Sequence, residues 1–110
     1  MFSNEDLIRH INEELQFIYS ITNGKTKVEV ISDQVVSRAL IRSLEIVGEA
    51  SRKVSEDFKL SHPEIEWRKM SGTRDKLIHD YFGIDYDIVW DIVINKLPAL
   101  RIEVENILEQ

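Results

Sequence analysis

Apolar residues recur at intervals of three and four along most of this chain, which is the spacing of one face of an α-helix. The first run is preceded by Ser3 and Asp6, a helix-capping pattern, and Asn23 with Gly24 provides a stop. The sequence therefore predicts a helix from about Asn4 to Ile21. Its apolar members are Leu7, Ile8, Ile11, Leu15, Ile18 and Ile21.

A second apolar run predicts the longest helix, from about Ser32 to Phe58. Gly48 and Ala50 lie near its middle, where small residues let another helix approach closely, although a glycine inside a helix costs about 1 kcal/mol. A third helix is predicted from Trp67 to His79 or Tyr81.

Gly83 should mark the end of that third helix. The last run predicts two segments, 85–94 and 97–108, because Pro98 must interrupt or restart the pattern. Short loops between amphipathic helices favour an all-α fold, an antiparallel four- to five-helix bundle, and 110 residues suit a single domain spanning 1–110.

Composition excludes several classes of protein. Hydrophobic residues make up 43% of the chain and charged residues 31%, as in a soluble globular domain. No apolar stretch approaches the roughly 20 residues that span a bilayer, and the first residues are acidic, unlike a signal peptide, so we expect a cytoplasmic protein with no membrane partner. With no cysteine and three scattered histidines, we expect no metal site and no cofactor.

The net charge of −6 is unevenly distributed. Residues 38–76 hold nine basic and seven acidic side chains, whereas the rest of the chain holds five basic and thirteen acidic ones. The middle third is therefore where an anion would be tolerated. Ordinary surface scatter is the alternative explanation.

The run from Arg74 to Tyr81 contains residues suited to cutting RNA without a metal. His79 can accept and return a proton near neutral pH, and Arg74 can donate two hydrogen bonds to a phosphate. In a regular helix, however, five residues separate them by about 140°, so either the helix loosens or a second subunit completes the site. Asp75, four residues before His79, is predicted to orient its ring.

These residues carry a family resemblance. The pattern Arg74-x-x-x-x-His79-x-Tyr81 resembles the signature of the HEPN superfamily, specifically of HepT-like toxins of toxin–antitoxin pairs. Relatives often have Asn where this chain has Asp75. Flanking blocks follow in the order that family has: Gly48-Glu49-Ala50, Pro63-x-Ile65-x-Trp67, Ile78-His79-Asp80-Tyr81-Phe82, Val89-Trp90 and Leu97-Pro98.

The resemblance implies a metal-independent endoribonuclease toxin of a type VII-like module, built as a HEPN-like bundle. It implies a homodimer in which two copies of the motif line one cleft, with Arg74 and His79 as catalytic residues. It also implies a minimal nucleotidyltransferase (MntA-like) antitoxin that transfers AMP from ATP to Tyr81, which would place an anion beside Arg74.

Other residues have two readings. Arg38, Arg42 and Lys76 are possible RNA-binding residues, although ion pairs with Glu45 and Glu49 also suit the two arginines. The aromatic residues Trp67, Phe82 and Trp90 suit base stacking, but core or dimer contacts suit them better. His10 and His62 have no assigned role.

Two rival functions stay open. One is a non-catalytic HEPN module that binds nucleotide or RNA, and the presence of both Arg74 and His79 argues against it. The other is a helical dimerisation protein, for which loss of His79 would unfold or dissociate the dimer.

Overall fold

A computed structural model describes residues 1–77 and 83–110, with the side chains of Arg74 and Lys76 outside that description. All regular structure in those residues is helical, which confirms the predicted all-α bundle. A π-helical segment, Ile92–Lys96, joins the last two helices. The α-helices are α1 (Asn4–Thr22), α2 (Lys27–Ser32), α3 (Gln34–Lys53), α4 (Glu56–Ser61), α5 (Trp67–Leu77), α6 (Tyr86–Asp91) and α7 (Leu97–Leu108).

Helix α1 begins and ends where its sequence predicts. The Ser3 hydroxyl accepts a hydrogen bond from the Asp6 backbone N–H at 3.1 Å, and the Asp6 carboxylate accepts one from the Ser3 N–H at 3.1 Å. These bonds hold the pKa of the Asp6 carboxyl below its usual value, because they favour the charged form. After the helix, Gly24 adopts a φ of +75°, a conformation that favours glycine.

The predicted single helix from Ser32 to Phe58 is wrong at both ends. At its start, Asp33 ends α2 and caps α3, accepting hydrogen bonds from the Val35 and Val36 N–H groups at 3.0 and 3.1 Å. Helix α2 was not predicted, although Thr26 and Glu29 form a capping box at its start. Helix α3 is still the longest of the described helices, with 20 residues.

The C-terminal break of that helix depends on a distant residue. Val54 is extended, and the Ser55 hydroxyl caps the separate helix α4 by accepting from the Phe58 N–H. The Asn4 side chain bridges Ser55, donating to its hydroxyl at 2.9 Å and accepting from its backbone N–H at 3.0 Å. Apolar periodicity continues through this break, so it carries no sign of a contact made 51 residues away.

The two predicted C-terminal segments are present, but a π-helical segment links them without a break. Pro98 lies in the first turn of α7, where its missing N–H costs nothing. Its ring would clash with the carbonyl of Ile94 in a regular helix. The wider turn relieves this, and the Leu97 N–H donates to the Ile92 carbonyl, five residues back.

Helix α3 lies at the centre of the bundle and packs against both α1 and α5, while α7 packs against α1. The buried residues between these helices form one hydrophobic core that is almost entirely aliphatic. Ile8 and Ile11 of α1 are completely buried in it. Gly48 and Ala50 of α3 are both buried. None of the described helices is both long and apolar enough to cross a membrane.

Candidate active site

Helix α5 contains the start of the Arg74 to Tyr81 run, and one face of this helix is buried. Trp67, Met70 and Leu77 are at most 8% exposed, and the Trp67 indole N–H donates to the His62 carbonyl at 3.0 Å. The predicted end of the helix, at His79 or Tyr81, lies outside the described residues.

One flank of α5 is bound to the end of α3 by an arginine. The Arg52 guanidinium donates to the Ser71 carbonyl at 3.1 Å, and one of its nitrogens lies 3.9 Å from the Asp75 carboxylate. Both side chains of this ion pair are largely exposed, 54% for Arg52 and 80% for Asp75. A positive charge therefore lies beside the residue that follows Arg74.

The other flank of α5 borders a groove of about 320 Å³ between α3, α5 and the C-terminal helices. Thr73, the residue before Arg74, lines it. Its apolar lining comprises Leu44, Val47, Met70, Ile88, Ile92, Leu97, Ala99 and Leu100. Its charged lining comprises Glu64, Glu66, Lys69, Asp91, Lys96 and Glu103.

Carboxylates outnumber lysines in the groove. The Lys69 ammonium donates to Glu66 at 2.8 Å, and this hydrogen bond lowers the pKa of the Glu66 carboxyl. Partial burial raises the pKa of the Glu103 carboxyl, and the nearby charges of Glu64 and Glu66 raise it further. Since a phosphate would meet mainly negative charge here, this flank is unsuited to an RNA backbone, and the Arg52 flank suits it better.

The structure tests only some of the predicted site residues. His79, Tyr81 and Phe82 lie outside the described residues, as do the side chains of Arg74 and Lys76, so their predicted roles stay predictions. The predicted pairing of Asp75 with His79 also stays a prediction, because His79 lies outside the described residues. In the part of the chain that the structure describes, no group of three or more His, Cys, Asp or Glu side chains is arranged to hold a metal ion.

The remaining predicted residues are described. Arg38 and Arg42 are both exposed on α3, and Arg42 lies 3.7 Å from Glu45, one of the two ion-pair partners expected for it. Trp67 is a core residue, and Trp90 is half-buried against the core, as the packing interpretation predicts.

Sequence analysis missed Arg52 and the groove. Arg52 is 19 residues from Ser71 and 23 from Asp75, and nothing local distinguishes it from other arginines near a helix end. The groove joins residues as far apart in the sequence as Leu44 and Glu103. Both features depend on how helices pack, which periodicity alone does not specify.

Comparison with known proteins identifies the family of this chain. The sequence model described as "Ribonuclease HepT-like" matches residues 11–107. A Methanocaldococcus jannaschii protein named as a candidate RNase is 46% identical over 99 residues, covering 90% of this chain and 82% of the relative. A Thermococcus cleftensis protein named "Probable ribonuclease HepT" is 40% identical over 105 residues, covering 96% of each.

A further relative, from Caldanaerobacter subterraneus subsp. tengcongensis, is also named as a candidate RNase and is 37% identical over 103 residues, or 94% of this chain and 92% of the relative. No solved structure matches the chain. The family match covers most of the chain and includes both α5 and the whole run from Arg74 to Tyr81. This chain therefore belongs to the HepT-like ribonuclease family of the HEPN superfamily.

Proposed function

We propose that this protein is a homodimeric, metal-independent endoribonuclease toxin whose catalytic residues are Arg74 and His79. The observation that carries the proposal is the Arg74-x-x-x-x-His79-x-Tyr81 pattern inside a chain that belongs to a ribonuclease family. The relatives' names refer to RNase activity, and the motif supplies the two groups that cleavage of an RNA phosphodiester needs without a metal.

The reaction is attack by a ribose 2′-oxygen on the adjacent phosphorus. The P–O2′ bond forms as the P–O5′ bond breaks, leaving a 2′,3′-cyclic phosphate and a free 5′-hydroxyl. A base takes the 2′-hydroxyl proton, and an acid supplies a proton to the leaving 5′-oxygen. His79 fills one of these roles, and Arg74 stabilises the negative charge that builds on the phosphate oxygens in the transition state.

A dimer would solve the geometric problem of the motif. In a regular helix His79 is about 140° around from Arg74, which points the two side chains apart. Two copies facing one cleft could place an arginine from one subunit beside a histidine from the other. Arg38, Arg42 and Lys76 are proposed to hold the RNA backbone outside the cutting position, as lysine and arginine side chains commonly do.

Tyr81 is proposed as the off-switch. A nucleotidyltransferase antitoxin would remove the proton of the Tyr81 hydroxyl, whose oxygen would attack the α-phosphorus of ATP and displace pyrophosphate. Each AMP adds a phosphodiester anion near Arg74, where it would compete with the RNA phosphate. Incubation of the purified toxin with such an antitoxin and ATP should add the mass of AMP to the wild type and not to Tyr81→Phe.

The catalytic assignment is tested by incubating total RNA with the purified protein in the presence of a metal chelator and measuring cleavage. Arg74→Ala and His79→Ala should each lose on the order of 10² to 10⁴ in rate while remaining folded dimers by size-exclusion chromatography. Arg68→Ala, an exposed arginine on the same helix, and His10→Ala are the matched controls and should cut like the wild type.

Three results would contradict this assignment. RNA binding without cleavage by the wild type would favour the non-catalytic module. Dissociation of His79→Ala into monomers would favour the helical dimerisation protein. Full activity of both alanine variants would exclude the motif as the catalytic centre.

A further inference from the structure

Arg52 is the described cation that the fold brings closest to the residue following Arg74. It lies in the last turn of α3, and its guanidinium donates to the Ser71 carbonyl of α5 at 3.1 Å. The same nitrogen, Nη2, is 3.9 Å from Asp75 Oδ2. The carbonyl bond fixes the guanidinium at one turn of α5, so its charge is held near the Asp75 carboxylate.

That carboxylate is a problem for a site that binds RNA. Asp75 is adjacent to Arg74 in sequence and 80% exposed, so its negative charge extends into solvent where a phosphate would approach. Two like charges a few ångströms apart repel each other even in water, and more strongly near a protein surface. An unopposed Asp75 would therefore cancel part of the attraction that Arg74 provides.

We infer that Arg52 is a positioning residue for RNA binding, which offsets the charge of Asp75 so that a phosphate can approach Arg74. This inference rests on the proposed function and adds a residue from a different helix to the site. It also gives Asp75 a partner other than His79. The acidic groove on the opposite flank of α5 supports the same direction of approach, because it would repel the RNA backbone.

A second role for Arg52 would look similar in a single variant. The guanidinium could leave Asp75 and bind a phosphate itself. The two roles differ once Asp75 is neutralised: an offsetting charge is then no longer needed, whereas a direct contact is still lost when Arg52 is removed. A double-mutant cycle separates them.

The experiment measures the Kd for a 2′-O-methyl RNA oligonucleotide, which lacks the attacking hydroxyl and cannot be cut. Arg52→Gln should weaken binding on the order of fivefold at low salt, and the loss should shrink at high salt. Asp75→Asn should tighten binding slightly. In Arg52→Gln/Asp75→Asn the Kd should return to within about twofold of the wild type. Arg9→Gln, which removes an exposed Arg–Glu ion pair on α1, is the control and should leave the Kd unchanged.

Cleavage of unmodified RNA adds a second readout. At saturating RNA, Arg52→Gln should retain the kcat of the wild type, because a positioning role affects approach and not the chemical step. Thermal unfolding checks that each variant is folded, and Asp75→Asn tests the charge without altering Arg52.

The inference is overturned if the double variant binds as weakly as Arg52→Gln, which would make Arg52 a direct RNA contact. It is also overturned if Asp75→Asn binds RNA no more tightly than the wild type. It is also overturned if Arg52→Gln binds like the wild type. If the wild type binds the modified RNA but cuts no RNA, the catalytic proposal fails while the binding cycle still decides the role of Arg52. Absence of RNA binding by the wild type would contradict both the proposed function and the role inferred for Arg52.

Discussion

Helix α3 packs against α1 on one side and against α5 on the other, and the two sides differ in what they bury. On the α1 side, Ile8 and Ile11 are completely buried and the helix is capped at its start. On the α5 side, Trp67 and Met70 retain about 8% exposure, and Met70 borders a groove. The α5 side is therefore the less tightly closed of the two near the groove, and it is the side that carries the charged and polar residues of the candidate site.

The largest expected effect is a difference between two core truncations. Ile11→Ala should cost about 3 to 5 kcal/mol of unfolding free energy, because it leaves a closed cavity among aliphatic side chains. Met70→Ala should cost about 2 kcal/mol, because the space it leaves joins the groove and admits water. Urea unfolding followed by circular dichroism measures both.

Equal losses for the two variants would contradict the comparison, since they would mean that the α5 side is as tightly packed as the α1 side. A larger loss for Met70→Ala would place the main core there. Because both changes truncate a long apolar side chain to Ala, the difference between them reflects the surroundings.

A smaller effect distinguishes two glycines. Gly72 lies inside α5, and a Cβ built on it meets nothing within 4 Å, so Gly72→Ala should stabilise the protein by about 0.5 to 1 kcal/mol. Gly24 follows α1 with a φ of +75° and also has open space around it. Gly24→Ala should therefore destabilise by about 1 kcal/mol through backbone strain alone.

Thermal unfolding of the two glycine variants shows directly whether each substitution raises or lowers the stability. A loss of stability in Gly72→Ala would mean that α5 needs an irregularity at this position, against the regular helix described. Neither substitution adds a polar group or a charge, so opposite signs can come only from the backbone conformation.

The sequence predicts features that are specified locally better than features that depend on distant contacts. Helix α1 is specified locally, by a capping box, an apolar stripe and a glycine, and its predicted limits agree with the structure. The break at Val54 and Ser55 depends on Asn4, and the π-helical segment depends on how Pro98 fits the turn before it. Such features need contacts that periodicity does not encode.

The candidate site divides in the same way. Arg74, His79 and Tyr81 could be selected from spacing and residue chemistry, because the motif is contiguous. The Arg52 contact and the acidic groove could not, because the first needs α3 packed against α5 and the second also needs the C-terminal helices. Charge counts along the chain did indicate a more basic middle third, but they did not separate the two flanks of α5.

The smallest expected effect compares two glutamates on opposite faces of α7. Glu103 lines the groove, where burial and then the charges of Glu64 and Glu66 raise the pKa of its carboxyl above its ordinary value of 4.5. Its ionised form therefore costs stability above the folded-state pKa, and this cost disappears as the pH falls below 4.5. Glu103→Gln should stabilise the protein at pH 7 by only roughly a few tenths of a kcal/mol, since the carboxyl is only partly buried and solvent screens its interactions.

Glu105 faces α1 instead, where it accepts a hydrogen bond from the Gln16 amide at 2.6 Å. Glu105→Gln is the matched control, and it should give no gain at pH 7, because it weakens a favourable contact and relieves no repulsion. Urea unfolding of both variants between pH 4 and pH 7 tests the difference. A gain from Glu103→Gln that persisted unchanged at pH 4 would have to come from packing, and the electrostatic contrast between the two faces of α7 would then be wrong.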